Sequence, residues 1–158
     1  MLLAKLNKSA MKRASHFPTM IGVEKVAFLV YQISTIAIFV TMVFLEIRTN
    51  QMFLFYVGIV VYIAGLVLLI FSTINFSIPS DSGINQNGLY RLSRNPMYVA
   101  YFVCFIGISS LVQSFVLLGI VFLFQTSAHW VILSEERWCI EQFGTEYLLY
   151  MNKVRRYM

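Results

Sequence analysis

From Pro96 to Ser134 the chain carries no formal charge. That one stretch limits the fold more than any motif does. Backbone polar groups placed in lipid must be satisfied within the segment that carries them, which makes an apolar run of this kind helical. A helix needs roughly 20 residues to cross the hydrocarbon core. The stretch is too long for one crossing, and Ser109, Ser110, Gln113 and Ser114 interrupt its middle. It reads as a tight hairpin of two helices, near 97–111 and 115–133.

Two more apolar runs precede it, at 26–45 and at about 52–71. With 59% hydrophobic and only 12% charged residues, a 158-residue chain has too little polar surface for a soluble domain. The expectation is an all-α integral membrane protein with about four transmembrane helices, forming a single membrane domain over 1–158. Ahead of the first run, Leu3, Leu6, Ala10 and Phe17 approximate one helical face opposite the lysines. This suits an N-terminal helix lying in the interface, and a disordered basic tail is the alternative. The first run ends in Glu46-Ile47-Arg48 with no small-residue cleavage pattern, so it reads as a retained span and not a signal peptide.

Cytoplasmic loops retain an excess of lysine and arginine. An N-terminus on that side gathers Lys5, Lys8, Lys12, Arg13, Lys25, Arg91, Arg94, Arg137, Lys153, Arg155 and Arg156 on one face and leaves Arg48 on the other. Both termini are therefore expected in the cytoplasm. The net charge of +5 belongs to that face, where it sets topology and attracts anionic lipid, and nucleic acid is not an expected partner.

Several enzyme classes drop out by counting. The two histidines, His16 and His129, form no HExxH and no zinc set, so no metal is expected. Cys104 and Cys139 form no CxxC and fall in a span and a tail, against a disulfide. There is no GxSxG elbow, no Walker loop and no GxG.

Gly58, Gly65 and Ser72 recur every seven residues in the second run, and Ala100, Gly107 and Ser114 do so in the third. Small residues at that spacing form a close-packing seam between helices. Tyr31, Tyr56, Tyr62 and Tyr101 read as packing or interfacial aromatics. The remaining polar groups share one depth. Asn95-Pro96 fits an N-cap followed by a first-turn proline, which points free N–H groups and a positive helix end toward the cytoplasmic edge beside Arg94. The hairpin returns Glu135 and Glu136 to the same surface. This matches a zwitterionic amino acid, its ammonium on glutamate and its carboxylate on arginine and the helix start. A snorkelling arginine and a solvated glutamate pair are the alternative.

The elements Gly88-Leu89-Tyr90, Arg94-Asn95-Pro96-Met97-Tyr98, Glu135-Glu136 and Phe143-Gly144-Thr145-Glu146-Tyr147, with Tyr150 and Val154, resemble the membrane methyltransferase superfamily. That group includes isoprenylcysteine carboxyl methyltransferases and phosphatidylethanolamine N-methyltransferases. The likeness covers about 83–156. It implies a helical bundle that holds S-adenosylmethionine and methylates a lipid-dissolved or small apolar acceptor. Carried over by position, Gly88 and Tyr90 would line the cofactor, Asn95, Pro96, Met97 and Tyr98 would hold its amino-acid end or adenosine, and Glu135 would take its ammonium. Glu136 and Arg94 are the candidate catalytic groups, with Glu136 either a support or a base. FGTEYLLY would be an amphipathic cytoplasmic helix, with Ile140, Phe143, Tyr147 and Met151 toward the bundle.

Two departures from the family pattern bear on chemistry. Asn95 stands where members commonly have His, and an amide cannot carry a proton at neutral pH, which argues against an acid or base there. Val131 stands where the prenylcysteine enzymes have an arginine, which weakens a carboxylate acceptor. Two rivals remain at this stage: a non-catalytic four-span subunit, and an NADPH-dependent enzyme similar to the sterol reductases.

Overall fold

The computed structural model describes residues 18–78 and 83–157. Among these residues five α-helices follow one another: α1 (Val23–Phe44), α2 (Met52–Ser77), α3 (Pro96–Leu111), α4 (Phe115–Phe143) and α5 (Thr145–Lys153). A single 3₁₀ turn, Gly88–Arg91, precedes α3, and there is no strand among the described residues. The sequence region assigned to an interfacial N-terminal helix lies outside the described residues.

Three of the helices, α1, α2 and α4, are long and apolar enough to cross a membrane. The fourth expected crossing, α3, has 16 residues. At 1.5 Å per residue it reaches about 24 Å, against roughly 30 Å of hydrocarbon. Both α2 and α4 run further than the apolar runs alone indicate. Past Phe71, the hydroxyls of Ser72, Thr73 and Ser77 donate to the carbonyls of Leu69, Leu69 and Ile74 at 3.0, 2.7 and 2.6 Å. Each hydroxyl is satisfied inside its own helix, so polarity does not end α2.

The hairpin forms where the serines and glutamine interrupt the uncharged stretch. Gln113 takes φ 51, the one non-glycine residue with positive φ among the described residues. Its side-chain amide donates to the carbonyls of Arg48 and Gln51 at 3.0 and 3.2 Å. The Arg48 N–H donates to the Leu111 carbonyl at 3.0 Å. The α1–α2 and α3–α4 loops are thereby tied together at one end of the bundle. Ser114 is not a seam residue: it caps α4, its Oγ accepting from the Leu117 N–H at 3.2 Å.

Helix α2 lies along α3, α1 lies along α4, and α3 touches α4, whereas α1 and α2 scarcely meet. The α2–α3 contact is the expected small-residue seam. Gly58, Gly65 and Ser72 are buried on α2, as are Ala100, Cys104 and Gly107 on α3. A Cβ on Gly65 would stand 2.6 Å from the Cys104 amide nitrogen, and one on Gly107 would stand 2.5 Å from that of Tyr62. Backbone cannot yield as a side-chain tip can. Gly107→Ala is expected to push α3 off α2 and destabilise the protein by about 1–3 kcal/mol; thermal unfolding in detergent measures this, and an unshifted transition would contradict it.

The apolar core between α1, α3 and α4 gathers Ile38, Phe105, Val112, Leu117, Val121 and Phe124. At the other end of the bundle, an ion pair joins α1 to α4. Arg137 donates to both carboxylate oxygens of Glu24 at 2.6 and 2.7 Å.

Candidate functional site

Consecutive residues on a helix point about 100° apart. Glu135 and Glu136 therefore face different neighbours at the end of α4. Glu136 is buried and holds two arginines. Arg94 meets Oε1 through Nε and Nη2, both at 3.0 Å. Arg156 meets Oε2 through Nε at 3.0 Å and Nη2 at 2.8 Å. The third nitrogen of Arg94, Nη1, donates to the carbonyls of Met151 and Val154 at 3.0 and 3.3 Å. Every arm of that guanidinium is engaged within the protein.

These bonds bring the C-terminal segment back beside the start of α3. The Arg94 N–H donates to the Arg155 carbonyl at 2.9 Å, and the Ser93 hydroxyl to that of Arg156 at 3.1 Å. One step further, Tyr157 Oη lies 3.0 Å from His129 Nδ1 on α4. The Tyr150 hydroxyl donates to the Tyr90 carbonyl at 2.6 Å, which fixes α5 to the turn before α3. Ile84, Tyr147 and Tyr150 form a buried cluster there, with Ile140, Phe143, Met151 and Val154 packed around it. The residues expected on one face of a tail helix meet here, but Ile140 and Phe143 belong to the end of α4, and Gly144, with φ 57, separates them from α5. Burial pushes the phenols of Tyr90, Tyr147 and Tyr150 above the ordinary tyrosine range, so they remain neutral donors.

Above this closure lies a cavity of about 530 Å³, within the size range of small-molecule sites. Of the residues expected at a cofactor, Tyr90, Asn95, Met97, Tyr98 and Glu135 line it, and so do Arg94 and Glu136. Gly88 and Pro96 do not. Gly88 has φ 54, and a Cβ there would run into the side-chain amide of Asn75, whose Oδ1 accepts from the Leu89 N–H at 3.1 Å. Glycine is needed there to make the turn. Pro96 is buried at the first turn of α3. Asn95 occupies the N-cap position without a side-chain capping bond. Its amide instead reaches toward Glu136 Oε1 and the Arg156 carbonyl, at 3.5 and 3.4 Å.

Glu135 faces the cavity and accepts from the Tyr98 hydroxyl at 2.8 Å. Among the described residues no lysine or arginine comes within ion-pair distance of it. The remaining wall is rich in aromatics: Tyr31 on α1, Phe76 on α2, Tyr101 on α3, and Trp138, Phe143, Tyr147 and Tyr150 below. Tyr31 and Tyr101 read from the sequence as packing or interfacial aromatics. Tyr31 does stack on Phe124 at 5.0 Å, and it also tilts against Tyr98 at 6.4 Å. Asn85 on the cavity wall was missed altogether, and its buried Oδ1 has no hydrogen-bond partner.

The phospholipid methyltransferase family model matches residues 49–146, from the start of α2 to the first turn of α5. The chain belongs to the phospholipid methyltransferase family. No curated protein and no solved structure matches it. The family match takes in α2, which lies ahead of the 83–156 stretch that carries the motif resemblance, and it ends before Tyr147, Tyr150 and Arg156. Those three residues nonetheless close the cavity and anchor Glu136 in this structure. Methyltransferases of this family generally use S-adenosylmethionine. The donor set fits a ligand with that composition: a carboxylate with no lysine or arginine at ion-pair distance among the described residues, an aromatic wall, and a buried acceptor lacking a donor.

Proposed function

We propose that this protein transfers a methyl group from S-adenosylmethionine to a lipid-dissolved or small apolar acceptor at the cytoplasmic edge of the membrane. Glu135 carries the reading. A carboxylate withdrawn from water without a cation is costly, and one held by Tyr98 on a cavity wall is matched to a ligand that brings its own positive charge. Family membership favours methyl transfer over nicotinamide-dependent reduction.

When bound, S-adenosylmethionine supplies a methyl group activated by a sulfonium sulfur. Glu135 takes the ammonium, and Tyr98 fixes the carboxylate that does so. The N–H groups of the first turn of α3, behind Asn95 and Pro96, receive the carboxylate end. Tyr90 and Met97 wall the ligand. Arg94 acts by holding the start of α3 to α4, because its guanidinium is spent on Glu136 and two carbonyls. Glu136 has both oxygens on arginines and serves as the support of that corner in place of a base. The aromatic floor from α5 excludes water from the methyl group.

The acceptor enters between α1 and α2, where the helices scarcely meet and Tyr101 is 40% exposed. We place α3 as the fourth crossing, packed along α2 and joined to α4 by the hairpin, with both termini on the cytoplasmic face. The whole of 1–158 is one membrane domain whose cofactor part is 83–156. Helix α5 lies in the interface, with Leu148 and Leu149 exposed to the headgroup boundary. Calorimetric titration of the detergent-purified protein with S-adenosylhomocysteine tests the reading. Saturable binding is expected, and a folded sample that does not bind would overturn it.

A further inference from the structure

On the wall of this cavity the buried side-chain oxygen of Asn85 has no hydrogen-bond partner. Residues 83–87 lead into the turn before α3. Their position is set by packing. Ile84 is 4% exposed and sits in the cluster with Tyr147 and Tyr150, and a Cβ on Gly83 would meet the Phe143 ring at 3.4 Å. Asn85 lines the cavity and directly follows Gly83 and Ile84, the two residues that pack at its α5 side. Its Oδ1 is buried and accepts no hydrogen bond.

An amide oxygen in that position loses its bonds to water and gains none from the protein, a loss that a ligand donor would make good. The surrounding rings favour a flat, apolar ligand face, and the amide asks for an N–H at the edge of that face. We propose that Asn85 selects a planar heteroaromatic base carrying an exocyclic amine, accepting a hydrogen bond from that amine. The inference rests on the S-adenosylmethionine reading and sets the direction of the ligand: adenine toward Asn85 and α5, amino-acid end toward Glu135.

The test is calorimetric titration of the full-length protein with S-adenosylhomocysteine and with its 6-oxo counterpart, in which the exocyclic amine is replaced by a carbonyl. Wild-type protein is expected to prefer the amino ligand by about ten- to a hundredfold. Asn85→Ala is expected to lose that preference, with weaker binding of the amino ligand and little change for the 6-oxo one. Asn85→Asp, which keeps an acceptor of the same size, is expected to retain the preference. Equal weakening of both ligands in Asn85→Ala would assign the residue a structural role and overturn the proposal, as would an unchanged preference. Failure of wild-type protein to bind either ligand would instead remove the S-adenosylmethionine reading, and this inference with it.

Discussion

Replacing Glu136 with alanine is expected to destabilise the protein by roughly 3–5 kcal/mol, the range for removing one partner of a buried ion pair. The carboxylate side chain is 4% exposed, and those of Arg94 and Arg156 are 8% and 28% exposed. The burden falls on Arg94. Arg156 can turn toward water at modest cost, whereas Arg94 would keep two carbonyls and lose its counter-charge. The expected result is a large fall in the thermal transition in detergent, with faster proteolysis after α5, because Glu136 ties the C-terminal segment to α4. Arg156→Gln should cost much less. A Glu136→Ala protein that melts with wild type would show that the arginines find other partners and that the corner is not the anchor described above.

The helices were legible in the sequence because lipid leaves an apolar backbone few options. The uncharged stretch with serines and glutamine at its centre could only fold back on itself, and it does so at Val112–Ser114. Its boundaries were less legible. Ser72, Thr73 and Ser77 look like the end of a span, yet their hydroxyls bond within the helix and let α2 run to Ser77. The site was legible as a depth and not as an arrangement. Asn95, Glu135 and Glu136 could be placed at one surface, and the family resemblance assigned Glu135 to the ligand, but whether Glu136 is left free or tied up by arginines depends on a tail that returns from far along the chain. Arg156, counted at first only as a positive charge, decides it by holding Glu136 from 20 residues away. Asn85 had no signal at all, since it lies in a short loop with no period and takes its meaning from the cavity wall. Gly88 carried a motif signal whose cause is local: the turn needs positive φ and close approach to Asn75.

Glu135→Gln is expected to weaken S-adenosylhomocysteine binding by roughly 1.5–3 kcal/mol, the range for a hydrogen bond to a charged group, or about ten- to 150-fold in Kd. The substitution keeps the size of the side chain and an oxygen able to accept from Tyr98. What it removes is the negative charge that would meet the ligand's ammonium. The same change should leave the thermal transition of the unliganded protein close to wild type or slightly higher, since a carboxylate in a cavity with no ion-pair partner among the described residues gains little from its charge until a ligand arrives. On the proposed reading that contrast separates Glu135 from its neighbour: Glu136 would hold the fold and Glu135 would hold the ligand. Calorimetry and thermal unfolding on the same preparation read both quantities. Unchanged affinity in Glu135→Gln would remove the ammonium from this position. A collapse in stability without ligand would instead show that Glu135 shares the structural work of the arginine corner.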